Sequence, residues 1–467
     1  MAKSIEKKNY VKGTELYGVM KLSEAIPLGL QHILAMFASN LTPILIIAPA
    51  CGITIGSELY TDIIQNAMFV AGVVTLVQII SIGPIGGKLP IVMGTSGGFI
   101  GVMLSIVSSM GGGIVSYGAI LGASIIGGIF EFILGFFLKY LRKLFPSVVT
   151  GTVVLSIGLS LIGIGVNAIC GGQGVADFGS LENLFVGFMV VAVIIVIKHN
   201  TKGIVSAASV LISIIVGYII VVIMERILPT TINITNPDGT IQNVMKSWVL
   251  QWDKVDKASI ISIPKILPVK LVFDIRAIFP MLIMFIVTTV ETIGDISGIT
   301  EGGLGREASD SELSGGVMCD GLGSSFAAIL GVLPNTSYSE NVGLVGITKV
   351  VNLFALSIGA IFLILCGMFP KLAAVVSIIP QPILGGASVL MFANIAVSGI
   401  KLIAKNGVSD RDMTIVSVAL GLGYGLGAVG GSLNQLPQFV SLIFSGSGIV
   451  PAAIFAIVLN LIIPKEK

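Results

Sequence analysis

Charge is scarce in this chain. Asp, Glu, Lys and Arg make up 11% of the 467 residues while 54% are hydrophobic, and apolar runs recur almost from end to end, more than any soluble domain needs. A basic stripe is missing and the net charge is only +2, so nothing in the sequence points to nucleic acid as a partner. Cysteine is rare and unpaired: Cys51, Cys170, Cys319 and Cys366 stand singly in apolar surroundings, without metal-type spacing. Disulfides, zinc and other metal or cofactor sites are therefore not expected. The N-terminal residues lack a short apolar core with a cleavage site, so neither a signal peptide nor a targeting segment is expected.

What is present is the pattern of an all-α polytopic membrane protein of the lipid bilayer. Apolar length, punctuated by Gly, Pro and charge, predicts fourteen transmembrane segments, at roughly 25–50, 62–83, 89–107, 114–140, 146–168, 184–198, 203–225, 277–297, 312–332, 337–346, 348–369, 380–402, 412–431 and 437–463. Lys3, Lys7, Lys8 and Lys12 precede the first span, and Lys139, Arg142, Lys143, Lys198, Lys202, Lys401, Lys405 and Arg411 fall in even-numbered connections. Both termini are expected in the cytoplasm of a cell-membrane protein. The long connection 226–276 carries Asn233, Asn236, Pro237, Asp238, Gly239, Trp248 and Trp252, and its Trp pair suits either an amphipathic segment at the interface or a plain folded loop. Gly is abundant inside spans, at Gly151, Gly158, Gly163 and Gly165 and in the run from Gly421 to Gly431. Such residues permit either tight static packing or sliding of one helix on another.

An internal echo divides the chain. Leu89-Pro90 opens the third segment and Leu333-Pro334 the tenth, each followed by Thr, Ser and Gly instead of a long apolar helix, and counting from the prolines puts Ser96 where Glu340 falls. Interrupted backbone is tolerated at membrane depth only where it lines a cavity or is buried in protein. Transporters built from inverted repeats place such broken segments at matching positions of the two halves, with half-helix N-termini facing the ligand. The expected architecture is seven spans plus seven, with segments 3 and 10 short and broken.

Acidic residues then mark a site. Glu340-Asn341-Val342-Gly343, followed by Thr348-Lys349, plants a carboxylate and an amide on glycine-bearing backbone deep in apolar sequence, where a charge costs about 2.5 kcal/mol or more and faces a pathway or protein interior. Glu291 and Asp295 are four residues apart, on one helix face, and Asp320 precedes Gly321. Four such carboxylates in low dielectric cannot all remain ionised, which makes one of them a natural proton carrier. Asp295 and Asp320 would equally serve as caps at helix ends. Glu131 is read as structural, Gln31 and His32 as polar packing residues of the first span, and Ser39 and Asn40 as facing a central cavity.

Gln31-His32 with the Ala-Met-Phe run after it, Glu291-x-x-Gly-Asp295, Asp320-Gly321 and above all Glu340-Asn341-x-Gly343 leading to Thr348-Lys349 resemble the nucleobase–ascorbate transporter family, also called nucleobase:cation symporter 2, over residues 20–463. The resemblance implies a transporter, not an enzyme. It implies a core of spans 1–4 and 8–11 (25–140 and 277–369), a gate of spans 5–7 and 12–14 (146–225 and 380–463), and often a homodimer. It further implies that Glu291 and Glu340 contact a nucleobase, that Asn341 and Asp320 hold the site, that His32 supports it, and that Ser39, Ser96 and the backbone around Gly97 complete the pocket. Proton symport of xanthine, uric acid, another purine or uracil is the implied activity, although carboxylates and unwound carbonyls would also serve sodium.

Two positions depart from the family. Gly97 stands where many relatives carry an aromatic residue, which makes Phe99 the candidate stacking partner, and Glu340 replaces the Gln usual in xanthine and urate relatives, as it does in uracil relatives. Asp295 and Asp320-Gly321 favour a purine, with a uracil:proton symporter as the alternative. An anion transporter of similar architecture is the competing reading of another class, disfavoured by acidic residues without a basic partner. An intramembrane enzyme would need a nucleophile–base set or metal spacing that the sequence lacks.

Overall fold

Backbone groups inside a bilayer must find partners within the protein, and this chain satisfies them mainly with helices. The computed structural model describes residues 10–464 apart from 142–145, 173–174, 236–240, 257, 406, 430–434 and 436–447. Lys3, Lys7, Lys8, Arg142, Lys143, Asn236, Pro237, Asp238, Gly239, Gly430, Gly431 and the first half of the expected span 437–463 lie outside the described residues.

The first part of the chain forms α1 (Leu22–Ala50), α2 (Glu58–Ile80), β1 (Met93–Thr95), α3 (Ile100–Met110), α4 (Ile114–Leu141), α5 (Ser147–Ile169), α6 (Leu181–Asn200), α7 (Gly203–Ala207) and α8 (Ser209–Glu225). After a hairpin of β2 (Thr231–Thr235) and β3 (Ile241–Met245) and a single turn α9 (Asp253–Asp256) come α10 (Ile275–Ile299), α11 (Asp310–Ile329), β4 (Asn335–Ser337) and α12 (Ser339–Thr348). Then follow α13 (Leu353–Cys366), α14 (Pro370–Ser377), α15 (Gln381–Ala404), α16 (Asp410–Val418) and a C-terminal helix, Ile449–Ile462. Seven described helices are long and apolar enough to cross a bilayer: α1, α2, α4, α5, α6, α10 and α15. The pair α13 and α14, bent by 82°, adds an eighth if it counts as one span.

The expectation of an all-α chain is corrected at two places. β1 and β4 pair antiparallel in the register Met93↔Ser337, Gly94↔Thr336, Thr95↔Asn335, and segment 3, expected to be short and broken within 89–107, is extended chain followed by the short α3. The second place is the 226–276 connection, which folds as the β2–β3 hairpin, with Trp248 fully buried and Trp252 packed on Tyr218. Only Trp252 keeps an exposed face, so the two tryptophans do not form one interfacial segment. The helix expected at 203–225 breaks at Ala208, and that expected at 412–431 passes from α-helix into a π-helical stretch at Ala419–Tyr424.

Glycine sets the tightest helix contacts. Gly151, Gly158 and Gly165, seven residues apart, all face α15, where a Cβ on Gly151 would come within 2.8 Å of the Gly399 carbonyl oxygen. Close backbone approach of this kind is what small residues allow. Tight packing therefore accounts for three of the four glycines, while a Cβ on Gly163 would meet nothing within 4 Å.

Candidate substrate site

β1 and β4 are too short to be stable alone, and their environment shows how their polar groups are met. Thr75 Oγ1 accepts from Met93 N at 2.9 Å, Asn40 Oδ1 accepts from Thr95 N at 2.8 Å, and beyond the ladder Ser96 N donates to Pro334 O at 2.7 Å and Tyr338 N to Val92 O at 3.2 Å. Asn40 is therefore spent on β1 and does not face the cavity, contrary to the sequence expectation. Directly after the strands, α3 and α12 begin, so two helix N-termini open where Gly97, Gly98, Ser339 and Glu340 line one cavity. Unpaired N–H groups at such ends favour acceptor atoms of a ligand.

Three further helices complete the walls. α1 supplies Ser39, Thr42 and Pro43, α10 supplies Glu291, and α15 supplies Met391, Phe392 and Ile395. Ser39 Oγ donates to Glu340 Oε1 at 2.9 Å and also approaches Met391 Sδ at 3.0 Å, so it touches both sides of the cavity. Glu291 lines the cavity and its Oε2 has no hydrogen-bond partner among the described residues. The lining contains no Lys or Arg among the described residues. The open space is about 30 Å³ in this conformation, enough for a water molecule or two. A larger guest fits only if the walls part.

Behind the lining lies a layer of acids and hydroxyls. Asp295 accepts from Ser337 Oγ and Ser339 Oγ, both at 2.7 Å, and Asp320 Oδ2 accepts from Thr292 and, at 3.3 Å, from Thr336. Neither carboxylate caps a helix end; they instead fix β4 and the start of α12 against α10 and α11. His32 and Asn341 form a second brace. Asn341 Nδ2 donates to Pro90 O at 2.7 Å, which leaves its Oδ1 to accept from His32, so the imidazole proton sits on Nδ1. This joins α12 to α1 and to the segment leading into β1, whereas neither residue lines the cavity. Gln31, also buried, precedes His32 on α1 and does not line it either.

Ser96 and Phe99 differ from expectation. Ser96 is buried below the surface of the cavity, its Oγ without a partner among the described residues. Phe99 stands at the start of α3 and packs edge-on against Phe285, ring centroids 4.8 Å apart, fully buried. Its ring is taken up by core packing and does not line the cavity. Two aromatic side chains do, Tyr338 and Phe392, and sequence reasoning missed Phe392 because an apolar residue in an apolar helix carries no signal. Tyr338, in the interrupted stretch after Leu333-Pro334, donates its hydroxyl to Thr95 O at 2.8 Å. Glu131 is fully buried in α4 and accepts from Thr289 at 3.1 Å and Thr288 at 3.3 Å, which attaches it to the helix that carries Glu291.

A model described as "Permease family" matches residues 23–430. The xanthine permease of Bacillus subtilis is 33% identical over 94% of this chain and 93% of its own length. The uric acid permease of the same organism is 32% identical over 93% of this chain and 94% of its own, and the xanthine permease of Escherichia coli 30% identical over 94% and 91%. Among solved structures, the murine Solute Carrier 26 member A9 anion transporter superposes with a TM-score of 0.60 at 11% identity, covering 94% of this chain and 69% of that one. The transmembrane domain of the cyanobacterial bicarbonate transporter BicA gives 0.56 at 14% identity over 94% and 96%. At such identities the likeness concerns the fold.

Proposed function

The chain belongs to the permease family that includes xanthine and uric acid permeases, and on that premise we propose that it imports a purine nucleobase, xanthine or uric acid, by proton symport. The observation that carries this reading is the cavity with Glu291 and Glu340 in its wall and no cationic side chain among its described lining residues. An oxopurine is a flat ring edged by N–H donors and C=O acceptors, and an ionised carboxylate only accepts. Glu291 and Glu340 pair with ring N–H groups, Ser39 holds Glu340 in place, and backbone N–H groups at the starts of α3 and α12 serve the ring carbonyls. Phe392 covers one face of the ring. Asp295, Asp320, His32 and Asn341 position these groups.

The fold neighbours are anion transporters, yet the wall of this cavity is acidic. An anionic substrate would meet Glu291 and Glu340 without a neutralising partner, at a cost of several kcal/mol in a dry site. Xanthine, largely uncharged near neutral pH, avoids that cost, and uric acid avoids it when it binds as the neutral, protonated acid.

The same reading divides the protein into a core, 25–140 and 277–369, and a gate, 146–225 and 380–463, fourteen spans in all with both termini in the cytoplasm, working as a homodimer. Support for the inverted repeat comes from the ladder: the offset from Pro90 to Pro334 also takes Met93 to Ser337, which is its pairing partner. A local two-fold relating two inverted halves would produce that coincidence. A proton on the acidic group and a base in the cavity stabilise one conformation, so each raises the affinity for the other.

The test is uptake of labelled xanthine, uric acid and uracil by proteoliposomes with an imposed proton or sodium gradient. Purine uptake driven by the proton gradient is expected. Uptake driven by sodium alone would overturn the coupling, and uracil taken up in preference to purines would overturn the substrate.

A further inference from the structure

A second cavity lies behind the first. Its volume is about 620 Å³, and it runs between α1, α8 and the α13–α14 bend. Phe37, Ala38 and Leu41 of α1, Tyr218 and Val222 of α8, and Trp252 are among its lining residues. The lining is hydrocarbon and aromatic throughout, apart from the Cys366 thiol, the Trp252 indole N–H and the Tyr218 hydroxyl, and that hydroxyl already donates to Val375 O at 2.5 Å. A nucleobase bound here would leave its own polar edge unpaired, at a cost of about 1–3 kcal/mol for each group. An acyl chain needs no such partner.

The groove is also open to lipid. Ile215, Ile219 and Ile223 line it and are 52%, 55% and 53% exposed, so in a bilayer the face of α8 that borders the groove is bathed in hydrocarbon. Trp252 stands beside Tyr218 with ring centroids 6.0 Å apart, an aromatic pair of the kind enriched at the membrane–water interface. Lys371, exposed, directly precedes the groove residue Leu372 on α14 and offers a cation for a phosphate headgroup. Continuity with the lipid-facing surface, an apolar interior and a cation beside it together specify a phospholipid.

We propose that this groove is a binding site for an acyl chain of a membrane phospholipid, and that the chain acts as a wedge on the movement that opens the substrate cavity. The second clause rests on the transport reading; the first does not. Consecutive residues of α1 serve the two spaces back to back, with Phe37, Ala38 and Leu41 on the lipid side and Ser39, Thr42 and Pro43 on the substrate side. α15 does the same, with Leu384 in the groove and Met391 in the cavity wall. Parting α1 from α15 to admit a base therefore changes the width of the groove.

Tryptophan fluorescence tests this directly. The chain has two tryptophans, and Trp248 is fully buried, so a quencher carried on lipid chains reports on Trp252. The protein is reconstituted in phosphatidylcholine with brominated or unbrominated chains. Bromine is expected to quench the fluorescence, Trp252→Phe to abolish the quenched component, and Val222→Phe or Val375→Phe, which fill the groove from opposite walls, to remove most of the quenching while labelled xanthine still binds. Quenching unchanged in whichever of these variants keeps its melting temperature would mean that Trp252 touches only bulk lipid, and would overturn the site. Uptake rate is expected to depend on chain length in the wild type and to lose that dependence in the filled variants. A dependence equally strong in both would overturn the wedge. Because quenching requires no transport, failure of the lipid site and failure of the nucleobase reading are separable.

Discussion

Ser39 and Asn40 are neighbours on α1 with different tasks. A helix turns about 100° per residue, so one side chain meets Glu340 in the cavity and the other holds the Thr95 amide of β1. Ser39→Ala removes the hydrogen bond that orients Glu340 in the cavity and is expected to weaken xanthine binding with at most a small fall in melting temperature, because Ser39 is only partly buried and water can take its place at the carboxylate. Asn40→Ala leaves a buried backbone N–H without its acceptor and is expected instead to lower the melting temperature or abolish folding. A thermal melt and a binding isotherm on both variants check the pair. Glu131→Gln keeps an acceptor for Thr288 and Thr289 and is expected to fold normally, whereas Glu131→Lys, placing an ammonium at a fully buried position, is expected not to fold; membrane-inserted yield measures the difference. At this scale the acids were readable from sequence because a carboxylate in apolar sequence demands an explanation. Phe99 was misread because its distance from Gly97 along the chain says nothing about which way a ring at a helix start points.

Among the elements, the site is a meeting of two short helices, α3 and α12, with three long ones, α1, α10 and α15. The Leu-Pro echo marked the two stretches in which extended chain precedes the short helices α3 and α12, since interrupted backbone leaves a mark in Gly, Ser and Thr. It did not announce that the two extended pieces pair with each other, because three-residue strands have no periodicity to read. α15 left no trace at all as a site element: its Met391, Phe392 and Ile395 differ from their neighbours only in facing the cavity. Gly97 leaves room at the start of α3. A Cβ added there would meet nothing within 4 Å, so Gly97→Ala is expected to fold and transport, while Gly97→Phe is expected to fold and to block uptake by filling the cavity. The contact of Ser39 with Met391 joins α1 to α15. In a background free of native cysteines, Ser39→Cys with Met391→Cys is expected to cross-link under oxidation and stop uptake, with reduction restoring whatever the paired substitutions alone allow; uptake unaffected by complete cross-linking would mean that α1 and α15 need not separate.

For the whole molecule, composition alone established the membrane, and the separation of acids from cations within the spans pointed to a neutral, hydrogen-bonding cargo. What composition could not supply is the closed state of the cavity, whose open space of about 30 Å³ makes binding inseparable from movement. In the proposed complex a purine base sits between Glu291 and Glu340. Binding of labelled xanthine to the purified protein, measured for the wild type, Glu291→Gln and Glu340→Gln with unlabelled uric acid and uracil as competitors, tests it most directly. Saturable binding is expected, displaced by uric acid better than by uracil and weakened roughly 10- to 150-fold by either substitution, the loss of about 1.5–3 kcal/mol that follows when a charged acceptor is removed. Xanthine binding that survives both substitutions undiminished would contradict it.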